Sequence, residues 1–217
     1  MAEASHRPGR GPPAMATRSI EELGGRSACP RQLLVVSGHP GSGKTTVARQ
    51  LAGVLTYPLV SRDDFKELLF DRLGVGDREW SKKLGAVSYD LMDRVLGLLM
   101  AGGAGVVAEA NFSAAAAGSL GALAERWGYE VAEVCCTAPA PVLLERFARR
   151  AREGHRHPGH QDGDNLAEQA SRVQARYAPL NLGPLLMLDT TEAPEQVQQR
   201  AREWMRSQWA DVALRPP

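Results

Sequence analysis

Gly38-His-Pro-Gly-Ser-Gly-Lys-Thr-Thr46 comes directly after the apolar run Leu33-Leu-Val-Val-Ser37. The run has the length of a short buried strand. The stretch Gly38 to Thr45 fits G-x-x-x-x-G-K-[ST], and each residue type in it has a physical reason. A phosphate chain is gripped by backbone N–H groups turned inward. Side chains would block that approach, so Gly38, Gly41 and Gly43 clear it. Thr45 to Leu55 carries Val47, Leu51 and Leu55 at helical spacing, so a helix opens where the loop ends and adds the positive end of its dipole. Lys44 supplies a mobile charge to the β- and γ-phosphates, and the Thr45 hydroxyl can ligate Mg²⁺. An ordinary glycine turn would need neither the lysine nor this strand-to-helix setting. The stretch Gly38 to Thr46, with His39, Pro40, Ser42 and Thr46 inside it, is therefore expected to hold ATP and Mg²⁺.

Working outward, strand and helix patterns alternate. Tyr57 to Ser61, Val106 to Ala108, Val131 to Cys136 and Leu185 to Leu188 read as strands. Phe65 to Leu73, Trp80 to Met100, Ala114 to Trp127, Pro141 to Arg152, about Leu166 to Tyr177, and Pro194 to Trp209 read as helices. In the longest of these, Val87, Leu91, Val95 and Leu98 form one stripe, predicted to face the core. The alternation predicts an α/β chain with the P-loop NTPase fold. A five-stranded parallel sheet is sandwiched by helices and holds ligands at the carboxyl ends of its strands. The domain is expected over residues 31–210, with a small lid at about 146–166. Residues 1–30, which include the Arg-, Gly- and Pro-rich His6 to Pro13, are expected to be a disordered tail, and 211–217 a second tail. Met15 is a second potential start.

Composition narrows the class. The 217 residues carry a formal net charge of +1, which does not advertise nucleic acid or an anionic membrane. No apolar run approaches the ~20 residues of a membrane span, and the N-terminus lacks a secretory apolar stretch. The three cysteines are Cys29, Cys135 and Cys136. An odd count with an adjacent pair argues against a disulfide framework, so a cytoplasmic location is expected.

The acceptor side is read from two further strand ends. Ser61-Arg-Asp-Asp-Phe-Lys66 places Asp63 and Asp64 beside the phosphate crevice, where a carboxylate can take the proton of an attacking hydroxyl. Either could instead cap the helix expected from Phe65. Glu109-Ala-Asn111 comes after the third strand. Glu109 could hold water on Mg²⁺ or be a solvated strand end, and Asn111 could hydrogen-bond substrate. No apolar run ending in aspartate supplies a typical Walker B signature. Arg146, Arg149 and Arg150 share a helix face ahead of the Gly- and His-rich loop 154–164, which suggests a lid whose arginines offset charge during transfer. His155, His157 and His160 lack structural zinc spacing and are expected to serve lid or substrate contacts.

These motifs together resemble the P-loop kinases of the group containing the phage polynucleotide 5′-kinase domain, zeta toxins and chloramphenicol phosphotransferase. The likeness is nearest to AAA-type ATP-binding kinase-like proteins and covers about Leu33 to Trp209. In that group the phosphate loop is followed by R-D-D-[YF]-[RK], here Arg62-Asp63-Asp64-Phe65-Lys66. The resemblance implies that Asp63 is the general base and that Lys66 meets the acceptor. Lysine keeps the charge of the more usual arginine without its bidentate fork, which weighs against a polynucleotide acceptor. It also implies that Glu109-Ala-Asn111 stands for D-x-N, that Arg146 and Arg150 are lid arginines, and that adenine lies near Asp189, Thr190 and Thr191.

The expected activity is transfer of the ATP γ-phosphate to a hydroxyl of a small molecule: a metabolite, a nucleotide-like compound or an antibiotic. Lys44, Asp63, Arg146 and Arg150 are the expected catalytic groups. Nucleotide is expected at residues 38–46, Arg150 and Thr190, metal at Thr45 and Glu109, and acceptor at Asp64, Lys66 and Asn111. The alternatives are a nucleic-acid 5′-hydroxyl kinase, which would want a basic groove, and a nucleotide-dependent switch, which would want a partner-binding module.

Overall fold

A computed structural model describes residues 31–153, 157–160, 170, 171, 173, 174 and 177–209. The two expected tails, residues 154–156 and 161–166 of the expected lid, and much of the helix expected from about Leu166 to Tyr177 lie outside the described residues. Five parallel strands form one sheet in the order β2-β3-β1-β4-β5. They are β1 (Gln32–Gly38), β2 (Leu59–Ser61), β3 (Val106–Glu109), β4 (Glu130–Thr137) and β5 (Leu185–Asp189). The helices are α1 (Lys44–Leu55), α2 (Arg62–Leu73), α3 (Arg78–Ala101), α4 (Ala114–Trp127), α5 (Ala140–Glu153) and α6 (Pro194–Gln208). The expected α/β fold is the one observed.

β1 sits at the centre, and both of its faces are buried, which is why its sequence is continuously apolar. Leu34 and Val36 point to one side and pack with Val47, Ala48 and Leu51 of α1 and Val197, Ala201 and Met205 of α6. Leu33 and Val35 point to the other and meet Met92, Leu96 and Met100 of α3 and Leu120 and Ala124 of α4. Cys135 and Cys136 are buried thiols on β4, and burial pushes the Cys136 thiol up to about 12.

Two expectations are corrected. The buried stripe of α3 is Ser81, Leu84, Gly85, Ser88, Met92, Leu96 and Met100, whereas Val87, Leu91 and Leu98 face outward. Small polar residues hold the buried line because α2 packs there and sends Arg62 and Lys66 into the seam. A Cβ on Gly85 would lie 2.7 Å from Arg62 Nη2. The phase is testable by urea denaturation. Met92→Ala, at a fully buried site, lowers stability by about 2–5 kcal/mol, while Leu91→Ala changes it by less than about 0.5 kcal/mol. Second, α2 begins at Arg62, not near Phe65. Asp63 and Asp64 thus lie inside its first turn, where the dipole favours carboxylates, and neither is the N-cap.

Candidate active site

Three strand ends converge on one buried carboxylate. Glu109 closes β3 opposite Val36 of β1 and Ser61 of β2. Its side chain is 2% exposed, with Lys44 Nζ 3.9 Å from Oε1. The Thr45 hydroxyl donates to Oε1 at 3.2 Å and the Ser61 hydroxyl donates to Oε2 at 2.7 Å. A carboxylate this deep is tolerated because each oxygen has a polar partner. Ser61 occupies the N-cap position of α2 yet makes no side-chain cap there; its hydroxyl goes to Glu109. The reading of Glu109 as a solvated strand end is therefore set aside.

The phosphate loop is shaped by what presses on it. At Gly38 (φ 144°) a Cβ would collide with the Cys136 carbonyl and the Ser42 hydroxyl. At Gly41 (φ 83°) it would lie 2.8 Å from the Leu143 carbonyl of α5. Both positions exclude side chains on geometric and conformational grounds. Lys44 and Pro40 are buried, Ser42 is fully buried, and Thr46 is exposed on the first turn of α1. Ser42 Oγ has no hydrogen-bond partner among the described residues.

Gly43 faces the loop after β5: a Cβ there would lie 3.7 Å from Thr190 Cβ. Arg146 of α5 clasps Thr190, donating from Nη1 to Oγ1 at 3.0 Å and from Nη2 to the carbonyl at 2.7 Å. Thr190 in turn donates from Oγ1 to the Thr137 carbonyl at 3.1 Å. The structure thus joins Arg146 to the loop that the resemblance assigns to adenine. Arg150 lies over the Phe147 ring at 5.4 Å, and Arg149 is exposed.

The two aspartates differ in surroundings. Asp63, 25% exposed, accepts from Arg62 Nη1 at 3.1 Å. Arg62 is itself fixed, donating to the Gly85 carbonyl at 3.3 Å and lying 4.9 Å over the Tyr89 ring. Burial pushes the Tyr89 phenol up, and the nearby charges of Asp63 and Glu109 add to that rise against Arg62. Asp63 and Glu109 therefore share one neighbourhood around Tyr89. Asp64 is more exposed. Burial raises its pKa, the Arg49 charge opposes that, and Glu67 and Asp63 reinforce it. Lys66, expected to meet the acceptor, is 6% exposed and donates to Ser81 Oγ at 3.0 Å across the α2–α3 seam.

Two tyrosines that no sequence motif marks hold the chain after β3. Tyr89 donates to the Asn111 carbonyl at 2.9 Å, and Tyr177 donates to the Phe112 carbonyl at 2.7 Å. Tyr177 also meets His39 edge to face, with centroids 5.1 Å apart. No spacing pattern links a tyrosine at 177 to a loop at 39, so only the fold reveals the pair. The turn Pro158–His160 rests on α2. His157 pairs with Asp71 at 3.1 Å and His160 with Glu67 at 3.0 Å, on either side of Phe70. His157 and His160 thus contact α2, His155 lies outside the described residues, and among the described residues no group of three or more His, Cys, Asp or Glu side chains could hold a metal ion.

A sequence profile described as AAA domain matches residues 33–180, more than half of the chain. The chain belongs to the AAA domain family. A candidate kinase from Chloroflexus aurantiacus J-10-fl, solved by crystallography, is 36% identical to this AAA domain, with a TM-score of 0.73, covering 82% of this chain and 97% of that one. A sugar kinase from Janibacter sp. HTCC2649 shares the fold at a TM-score of 0.54 and 23% identity, covering 85% and 96% of the two chains. The cytidylate kinase of Pyrobaculum islandicum is 46% identical over 50 residues, which span 23% of this chain and 27% of that protein. The match thus spans about a quarter of the length of this curated relative. With these neighbours the AAA domain is a P-loop kinase, as the motifs implied.

The residues present in the AAA domain fit a nucleotide and a divalent ion. The cleared glycines and the unpartnered Ser42 hydroxyl suit a phosphate chain, and Thr45 with Glu109 offers oxygen donors of the kind Mg²⁺ takes beside phosphates. No helix of the AAA domain is long and apolar enough among its described residues to cross a membrane.

Proposed function

We propose that the protein transfers the γ-phosphate of ATP to a hydroxyl group of a small molecule. The observation that carries this reading is the convergence of Lys44, Thr45 and Ser61 on Glu109, with Asp63 two residues beyond Ser61. Lys44 supports the charge that builds on the transferred phosphoryl group. Thr45 and Glu109 would hold Mg²⁺, which would supply positive charge to offset that of the phosphates. Asp63 orients the acceptor hydroxyl and takes its proton, while Arg62 holds the carboxylate in place. Asn111, Asp64 and Lys66 belong to the acceptor side. Residues 38–46, Arg150 and Thr190 belong to the nucleotide side, and Arg146 positions Thr190. A lid at about 146–166 excludes water when it closes, and the setting is cytoplasmic.

The test is ADP release from ATP and Mg²⁺ in the presence of a panel of sugars, nucleosides, polyols and hydroxylated antibiotics. Cytidine monophosphate and a 5′-hydroxyl oligonucleotide belong in the panel, the first because of the cytidylate kinase match. The expected result is release stimulated by one class of small hydroxyl compound, with a phosphorylated product. Hydrolysis that no acceptor stimulates but a protein partner does would replace this reading with a nucleotide-dependent switch.

A further inference from the structure

Tyr177 contacts both the phosphate loop and the chain after β3. Its ring edge meets His39, the residue next after the last position of β1. Its hydroxyl reaches the Phe112 carbonyl at 2.7 Å, one residue beyond Asn111 and three beyond Glu109. Burial pushes its pKa well above the ordinary phenol range, while the Gly38 backbone and the Ser37 hydroxyl pull the other way. The phenol oxygen therefore stays a protonated donor and sits among the carboxyl ends of β1 and β3.

The chain on the far side of Tyr177 is anchored as well. Glu133, fully buried on β4, accepts from the Leu180 amide at 2.9 Å and from the Leu182 amide. The segment that carries Tyr177 out of the 157–177 stretch is thus tied to the sheet three residues later. From the opposite side Tyr89 holds the Asn111 carbonyl at 2.9 Å. Two adjacent carbonyls, of residues 111 and 112, are gripped by phenols from different parts of the chain. A loop gripped this way gives the side chain of Asn111 one backbone setting relative to the phosphate loop.

We infer that Tyr177 is a positioning residue for phosphoryl transfer, which fixes the acceptor-side loop 110–113 against His39 of the phosphate loop. The inference rests on the proposed function for its kinetic consequence and on geometry alone for its structural one. The ring and the hydroxyl have separable duties. The hydroxyl sets the loop after β3, and the ring braces His39.

The experiment compares the full chain as wild type, Tyr177→Phe and Tyr177→Leu. Amide hydrogen exchange is read over residues 110–114, ATP affinity by calorimetry, and kcat and acceptor KM in the ADP-release assay. Tyr177→Phe keeps the ring. It is expected to hold ATP affinity within about twofold, to raise exchange over residues 110–114 by roughly fivefold, and to raise acceptor KM by a similar factor, the size set by one lost hydrogen bond. Tyr177→Leu is expected to weaken ATP binding in addition. Wild-type exchange and wild-type acceptor KM in Tyr177→Phe would overturn the inference, as would a change confined to the thermal midpoint, which marks a packing role alone. Should Tyr177→Leu not fold, Tyr177→Phe decides. If no acceptor is found for the wild type, the proposed function fails, and the exchange result still decides the role of Tyr177.

Discussion

Asp63→Asn is expected to bind ATP with an affinity within about twofold of wild type and to transfer phosphate at least about a hundredfold more slowly. A positioned general base contributes on the order of 10²–10⁴ to the rate, and asparagine keeps the shape while losing the proton acceptor. Asp64→Asn is the matched comparison. Asp64 is exposed and lies under the influence of Arg49 and Glu67, so its loss costs less than about tenfold. Asp63, by contrast, is held by Arg62 and shares the surroundings of Tyr89 with Glu109. Single-turnover transfer with saturating ATP separates the two. A near-wild-type Asp63→Asn beside an inactive Asp64→Asn would move the base to the second position.

Lys44→Ala is expected to lose transfer almost completely, by a factor on the order of 10²–10³ or more. The ammonium lies 3.9 Å from Glu109 Oε1. In the proposed transfer its charge acts where negative charge concentrates, so the loss is expected to fall on kcat more than on nucleotide KM. Removing it also leaves Glu109 with the Thr45 and Ser61 hydroxyls as its partners in this network. A thermal scan of the variant alongside the kinetics keeps these two effects apart. Equal losses in ATP affinity and in kcat/KM would mark Lys44 as a binding group only.

The phosphate loop and the alternation of strands and helices were legible because both are local. Gly38 to Thr46 declares its backbone needs residue by residue, and apolar periodicity marks each element within a short window. The phase of α3 was not legible. Hydropathy counts Val87, Leu91 and Leu98 as core, while the buried line includes Ser81, Gly85 and Ser88. Those residues are buried to admit Arg62 and Lys66 from α2, a reason that lies on another helix. The start of α2 was misplaced for a related cause. Ser61 reads as a strand end and the aspartates as caps, yet the serine hydroxyl is spent on Glu109, and the helix starts without a side-chain cap. Departures from local rules of this kind gather at functional sites. The tyrosines were hidden because their partners are main-chain carbonyls 22 and 65 residues away, and backbone acceptors leave no trace in side-chain patterns.

Ser61 has one more implication. One intervening residue separates the hydroxyl that grips Glu109 from the carboxylate of Asp63. The carboxylate proposed to take the proton and the hydroxyl that anchors Glu109 therefore form a single mechanical unit at the tip of β2. A drift of that tip would disturb both ends of the reaction at once.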